Sequence, residues 1–459
     1  MSGILTTVSR SSEADNEYDV KHLYDLGMRH IKAQELGKAR DTYKKLVELN
    51  PDHIMAQVKL GHLNQEMGDW DEALACYEST LKMEPENTDA LFGIGVLHEK
   101  LGLFSKSKEY YLKTIEVNSE HILAHNNLAS IYAREGEIEK AIEHLKTICK
   151  ISPKEFNAHY NLGVLCQGMG KYNDAISAYL KALEINSNHP ELLNNLGSSF
   201  LTLGAYKAGR DYFQRTLKID PYHKMARENL KIIDKRDQKL KNTLVYMKEE
   251  EYERAIQLLM HLIQTNQRDM EAYDFLSDIY LRKEEPMNAV EVWKKAIEVE
   301  PNNLDAHYNL GNISLNLKAF DAAIQEYRFI LNVLPNLSEV RNNLGLAYDG
   351  SGMTDEALSE FRKALENTPG FAEAHNNLGV IYKRKGEYEN AIHEYKEAIR
   401  INPDYVEARL NLGNLYSVQG RTEDATHEFE KVLVIDPNLS QARESIETLR
   451  RETPLFDFP

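Results

Sequence analysis

Every 34 residues this chain returns to a small side chain, and it does so at two phases at once. Counted in twelve copies of 34, position 8 reads Gly27, Gly61, Gly95, Ala129, Gly163, Gly197, Thr243, Ser277, Gly311, Gly345, Gly379 and Gly413. Position 20 reads Ala39, Ala73, Ser107, Ala141, Ala175, Gly209, Ala255, Ala289, Ala323, Ala357, Ala391 and Ala425. Small residues 12 apart suit two helices that cross too closely for a larger side chain, and overpacking such a contact costs roughly 1–3 kcal/mol. Six copies cover 20–223 and six cover 236–439, with twelve residues, 224–235, between them.

Other positions keep the same beat. Position 32 is Pro in nine copies, from Pro51 to Pro437, which stops one helix before the next copy. Position 15 is Gly in eight copies, as suits a turn needing positive φ. Position 24 is aromatic in ten, from Tyr43 to Phe429, and the rings fill the space that the small residues leave. Each copy therefore reads as two antiparallel helices, A over about positions 2–14 and B over about 17–30. Neither buries its apolar stripe alone, so neighbours must stack, and one continuous core is expected.

The pattern resembles the tetratricopeptide repeat family over 20–439. That resemblance implies an all-α, right-handed superhelical solenoid of twelve helix-turn-helix repeats. It says little about function, because the signature residues are packing residues.

The pattern breaks in the middle and at the ends. Copy seven has Thr243 at position 8 and Gln267 at position 32, and copies seven to nine lack the turn glycine. Residues 224–248 read as one connecting helix that overlaps copy seven, with Ala226, Leu230, Ile233, Leu240, Leu244 and Met247 on one arc and Asp237 intruding. Lys224, Arg227, Lys231, Lys235 and Lys239 lie opposite, either a solvated face or a docking stripe for an acidic protein surface or phosphate groups. Residues 1–19 read as a flexible segment. In 440–459, a polar capping helix precedes an apolar tail with Phe456 and Phe458.

Composition narrows the chemistry. A net charge of −17 disfavours nucleic acid as a bulk electrostatic partner. No apolar run is long enough to span a membrane, and the first residues carry no secretory signal, so a cytosolic protein is expected. Three cysteines, Cys76, Cys149 and Cys166, make neither a disulfide framework nor a zinc motif. The helix-A histidines His125, His159, His307 and His375 fall on different copies and read as packing residues rather than ligands. No catalytic motif, metal set or cofactor site is expected.

Position 6 resists a packing explanation. Asparagine, a poor helix former, recurs there as Asn127, Asn161 and Asn195, then as Asn309, Asn343, Asn377 and Asn411. In the repeat family position 6 of helix A looks onto the concave face, and such a row resembles the asparagine ladder in the repeat region of O-GlcNAc transferases. The resemblance implies binding of an extended peptide, because a carboxamide offers a donor and an acceptor to a peptide group. Specificity is then expected from Tyr160, Tyr308, Asn194, Asn342 and Asn376 at position 5, and from Ser130, Ser198, Asn312 and Asn414 at position 9. The alternative stays open that the amides bond neighbouring helices and fix the stack. Position 2 of copies eight to twelve is acidic (Glu271, Asp305, Glu339, Glu373, Glu407), which suits the helix dipole and biases that face toward basic ligands. The lysine-rich carboxylate clamp of the family's co-chaperones is missing. The expected function is a non-catalytic scaffold or adaptor that holds extended segments of partner proteins. Alternatives are a subunit presenting substrates to a glycosyltransferase on another chain, and a self-assembling scaffold.

Overall fold

The computed structural model describes the backbone of residues 5–452 and the side chains of 19–451; the tail with Phe456 and Phe458 lies outside the described residues. Among them there are 25 helices and no strand. All twelve B helices run from position 17 to position 30, for example Trp70–Met83 and Tyr388–Ile401. The A helices precede them, as in Ile54–Met67 and Ala372–Arg384. The first begins at Leu5 and runs to Lys32, inside the segment expected to be flexible, where no Gly or Pro interrupts it after Gly3.

The chain forms two compact units, Met1–Ile233 and Asp234–Pro459. Within each, a helix packs on its neighbours in sequence, and consecutive A helices also touch. Within each unit the buried residues group into clusters that half-buried side chains join, as Leu162 and Leu165 do in the first unit and Tyr348 does in the second.

The glycines at position 8 explain the closeness of A to B. A Cβ placed on Gly379 would meet the Tyr395 ring at 2.6 Å, and one on Gly163 would meet Tyr179 at 2.4 Å. All nine glycines there face a Tyr or Phe at position 24 of their own repeat. The three exceptions prove informative: Ala129 goes with Leu145, Thr243 with Leu259, and Ser277 with Trp293. The indole Nε1 of Trp293 donates to Ser277 Oγ at 2.9 Å, so the extra atom becomes an acceptor instead of a clash.

Turns between A and B need a left-handed residue at position 15. Eight glycines supply it with φ between 72° and 84°. Gln34, Glu250, Glu284 and Lys318 adopt φ of 58–59° without being glycine. Copies seven to nine are therefore not irregular at this turn, contrary to the sequence expectation. The same bond closes it everywhere, from the position-16 amide to the position-11 carbonyl: Asp69 to Asn64, 2.9 Å, and Ala319 to Ser314, 2.8 Å. Those bonds and the helix packing offset the roughly 1–2 kcal/mol that a side chain costs there.

One helix runs Lys224–Lys248. Ala226 and Ile233 are buried in the first unit, Leu240 and Met247 in the second. Leu244 is 45% exposed, so the expected arc is wrong there. The buried face is completed by Thr243 and by Arg236, which holds the buried Asp269 through two bonds of 2.7 and 3.0 Å and reaches Glu271 at 2.6 Å. Polarity hid Arg236 from a reading that looked for apolar periodicity.

Several A helices are capped by the residue before them. His53, His121 and His189 accept at the ring from the third backbone N–H, as Asn87, Asn303 and Asp269 do with oxygen.

Two outcomes test this packing. Gly379→Ala is expected to cost about 1–3 kcal/mol. Combined with Tyr395→Leu, which recreates the Ala129–Leu145 pairing, the double variant should lose less than the two single losses added together; additivity in urea unfolding would contradict the ring-on-glycine account. The second concerns His121, whose Nδ1 accepts from Ala124 N at 3.1 Å. Burial, partly opposed by Asp89, holds its pKa below the ordinary imidazole value. Below about pH 6.5 the unfolded chain then takes the proton more readily than the folded one, so this cap's stability is present above that pH and lost as pH falls. His121→Asn keeps a cap that does not titrate. The variant's first unit should lose less stability than wild type between pH 7.5 and 5; equal losses would count against the cap.

Candidate functional site

The asparagine row lies on the A-helix face of each unit, and the structure shows what most of its amides hold. In the second unit Asn377 Nδ2 donates to Asn342 Oδ1 at 2.9 Å, and Asn411 Nδ2 to Asn376 Oδ1 at 3.0 Å. Both bonds run from position 6 of one repeat to position 5 of the repeat before. Asn195 makes the same step in the first unit, to Tyr160 Oη at 3.4 Å. Asn343 reaches position 9 instead, donating to Asn312 Oδ1 at 3.1 Å, which also accepts from Tyr327 Oη at 2.7 Å. Asn127 donates to Tyr111 Oη at 2.9 Å, tying the row to a core ring. The amides thus link consecutive repeats.

That assignment corrects part of the expected groove. Asn342 and Asn376 are buried, Asn376 at 0% exposure, and they act as acceptors for the next repeat rather than as specificity residues. Asn194 is buried too. Tyr308 is half-buried and donates to Glu339 Oε1 at 2.5 Å. Asn312 and Asn414 are half-buried.

The bonds use only part of each carboxamide. Asn127, Asn195, Asn377 and Asn411 employ one N–H, and their Oδ1 atoms accept no bond from another side chain among the described residues. None of those oxygens is among the buried, unpartnered atoms, so they reach solvent. Asn161 is exposed and Asn309 half-buried, and neither amide bonds another side chain. The result is a row of acceptors whose orientation is set by inter-repeat bonds.

The two units surround that row differently. In the first, Met55 is 47% exposed and Leu123 58%, both at position 2, and Val164 is exposed at position 9. In the second, Glu271, Asp274 and Asp305 are exposed, with Asp278 half-buried beside them. Their mutual repulsion is felt at Asp274, whose carboxyl pKa is raised first by burial and then by Asp278, Glu271 and Asp305. Glu339 and Glu407 continue the acidic side, receiving bonds from Tyr308 and Asn376.

Position 4 carries a second device that sequence reasoning saw only as packing. His307, Arg341, His375 and Arg409 each donate to the carbonyl of the position-32 proline before them. Each also pairs with a glutamate at position 23: Glu326, Glu360, Glu394 and Glu428, at 2.5–2.7 Å. Burial alone lowers the His375 pKa, but the Glu394 carboxylate and the Pro369 carbonyl outweigh it and raise the value. The signal was present as His or Arg followed 19 residues later by Glu, visible only once helices A and B are superposed by register.

Of the basic stripe, Lys224, Arg227, Lys231 and Lys235 are exposed and Lys239 is half-buried. Arg227 sits over the Tyr222 ring at 5.4 Å and Lys224 is 3.9 Å from Glu228. No group of three or more His, Cys, Asp or Glu side chains is placed to hold a metal among the described residues. No described helix is long and apolar enough to cross a membrane.

Models of the tetratricopeptide repeat match residues 58–116, 156–189, 190–223, 338–371, 360–393 and 406–439. A further model described as TPR repeat matches 129–170, 278–318 and 381–420. Together they cover more than half of the chain. Among solved structures, the TPR domain of P58(IPK) is 18% identical, over 72% of this chain and 97% of that one, with a TM-score of 0.41. YrrB, titled a TPR protein with an unusual peptide-binding site, is 17% identical over 41% of this chain and 97% of that one, TM-score 0.38. MamA from Desulfovibrio magneticus RS-1 is 21% identical over 38% and 97%, TM-score 0.34. No curated protein matches the chain.

The linking role separates two asparagines cleanly. Asn377→Ala strips the buried Asn342 Oδ1 of its donor and should cost about 1–3 kcal/mol. Asn309→Ala removes no such bond and should change stability by less than about 0.5 kcal/mol. Urea midpoints that fall equally in both variants would contradict the assignment.

Proposed function

This chain belongs to the tetratricopeptide repeat family, and on that premise we propose that it is a binding scaffold holding extended segments of partner proteins along the A-helix faces of its two units. The observation that carries this reading is the row of solvent-reaching amide oxygens, each aimed by a bond to the neighbouring repeat. Such oxygens accept N–H groups from an extended backbone. Because the acceptors are already oriented, less freedom is lost on binding.

Magnitudes limit what the row does alone. Each amide contact contributes roughly 0.5–1.5 kcal/mol, whereas association costs roughly 4–15 kcal/mol. Affinity and choice of segment must come from the flanking side chains. Exposed Met55, Leu123 and Val164 suit an apolar segment in the first unit. Glu271, Asp274 and Asp305 suit a Lys- or Arg-bearing segment in the second. A partner offering both gains by linkage, since the second contact becomes intramolecular.

The second unit supplies the cleaner test. An extended peptide with alternating lysines is expected to bind at least tenfold more tightly than its glutamate counterpart, and to weaken as salt rises. Asp274→Asn with Asp305→Asn should reduce that preference severalfold without lowering the unfolding midpoint. Equal affinity for the two peptides, measured by calorimetry, would sink the charge-selective reading.

A further inference from the structure

Repeat five breaks the pairing rule of position 4. Its His159 donates from Nε2 to the Pro153 carbonyl at 3.1 Å, as the rule requires. Position 23, however, is Ala178, where repeats nine to twelve carry Glu and repeat four carries His144. With only a methyl group there, the groove between the B helices Ile138–Ile151 and Tyr172–Ile185 opens into a cavity of about 920 Å³. His159, 4% exposed, turns its Nδ1 to Cys149 Sγ at 3.3 Å instead. With Nε2 donating to the carbonyl, Nδ1 lies where it accepts a hydrogen bond from the Cys149 thiol, and burial, which raises the Cys149 pKa, favours the thiol form.

The walls oppose the charge of the chain. Lys146, Lys150, Lys154 and Lys181 line the cavity against two acids, Asp174 and Glu184, in a protein of net charge −17. None of the four lysines forms an ion pair among the described residues, whereas Lys108, Lys113 and Lys140 of the same unit all do. Leu162 and Ile185 give the cavity an apolar side. Its volume is that of sites for small organic ligands.

We propose that this cavity binds a small organic phosphate. The phosphate oxygens lie among the lysine ammonium groups, as the carboxylate of position 23 lies beside position 4 in repeats nine to twelve, and the organic part lies on Leu162 and Ile185. Ammonium groups suit phosphate as point charges, and no residue of the asparagine row lines the site.

Adenosine triphosphate, with adenosine as the uncharged control, probes the class. In the full chain it is expected to slow modification of Cys149 by a neutral disulfide reagent at least fivefold, while adenosine does not; Cys149→Ser identifies the thiol being read. Calorimetry gives a second readout that does not depend on thiol reactivity, and should show binding that weakens with salt. Lys150→Gln with Lys181→Gln should lower the affinity at least tenfold at an unchanged melting temperature. No heat of binding, equal effects of adenosine, or full binding by the double lysine variant would each overturn the proposal.

Discussion

A ring lying on a glycine is the contact from which the rest of this molecule follows. Position 24 puts Tyr, Phe or Trp under helix A, and position 8 must then give way. Nine glycines do so by having no Cβ, and Ser277 does so by accepting a bond from Trp293. Where the ring is replaced by Leu145 or Leu259, a larger residue returns at position 8. The contact brings A close onto B in ten of the twelve repeats, and a smaller ring-free pair fills the place in the other two. With A and B paired alike from repeat to repeat, one surface position recurs on the same face, which is what makes a row of side chains possible.

Repeat proteins of this kind bury their core only against nearest neighbours. Two further devices join one repeat to the next here. One is the position-4 residue, bonded to the preceding proline's carbonyl and to a position-23 carboxylate. The other is the position-6 amide, bonded to position 5 of the repeat before. Both are polar and partly buried, and both join groups that would otherwise be left unpaired at high cost. Repeat five shows the consequence of leaving one out, since Ala178 opens the groove that His159 and Cys149 line.

Packing was legible in the sequence because packing repeats. Twelve copies of the small positions and nine of the proline mark helix length, turn position and partner helix. Legibility failed where a residue's role depended on a partner in another helix. Asn376 reads as an exposed groove residue and is fully buried, since its acceptor role belongs to Asn411, 35 residues on. Arg236, outside the apolar arc of its helix, is buried and bonded to Asp269. Gln34, Glu250, Glu284 and Lys318 look like broken turns, yet they keep the left-handed conformation because the surrounding bonds demand it.

The asparagine row joins these two sides, since the amides are at once ties between repeats and, through their free oxygens, acceptors for a bound chain. Seen from a ligand, each tied amide offers an oriented oxygen and the second N–H of the same carboxamide. The measurement that tests this most directly is a backbone scan of a lysine-bearing peptide bound to the second unit, replacing single amides by esters and, separately, single carbonyls by thioamides. Loss of affinity on replacing individual N–H groups by ester oxygen, at least as large as any loss on weakening the carbonyls, is the result this account requires. Tolerance of every ester, with losses confined to the thioamides, would contradict it.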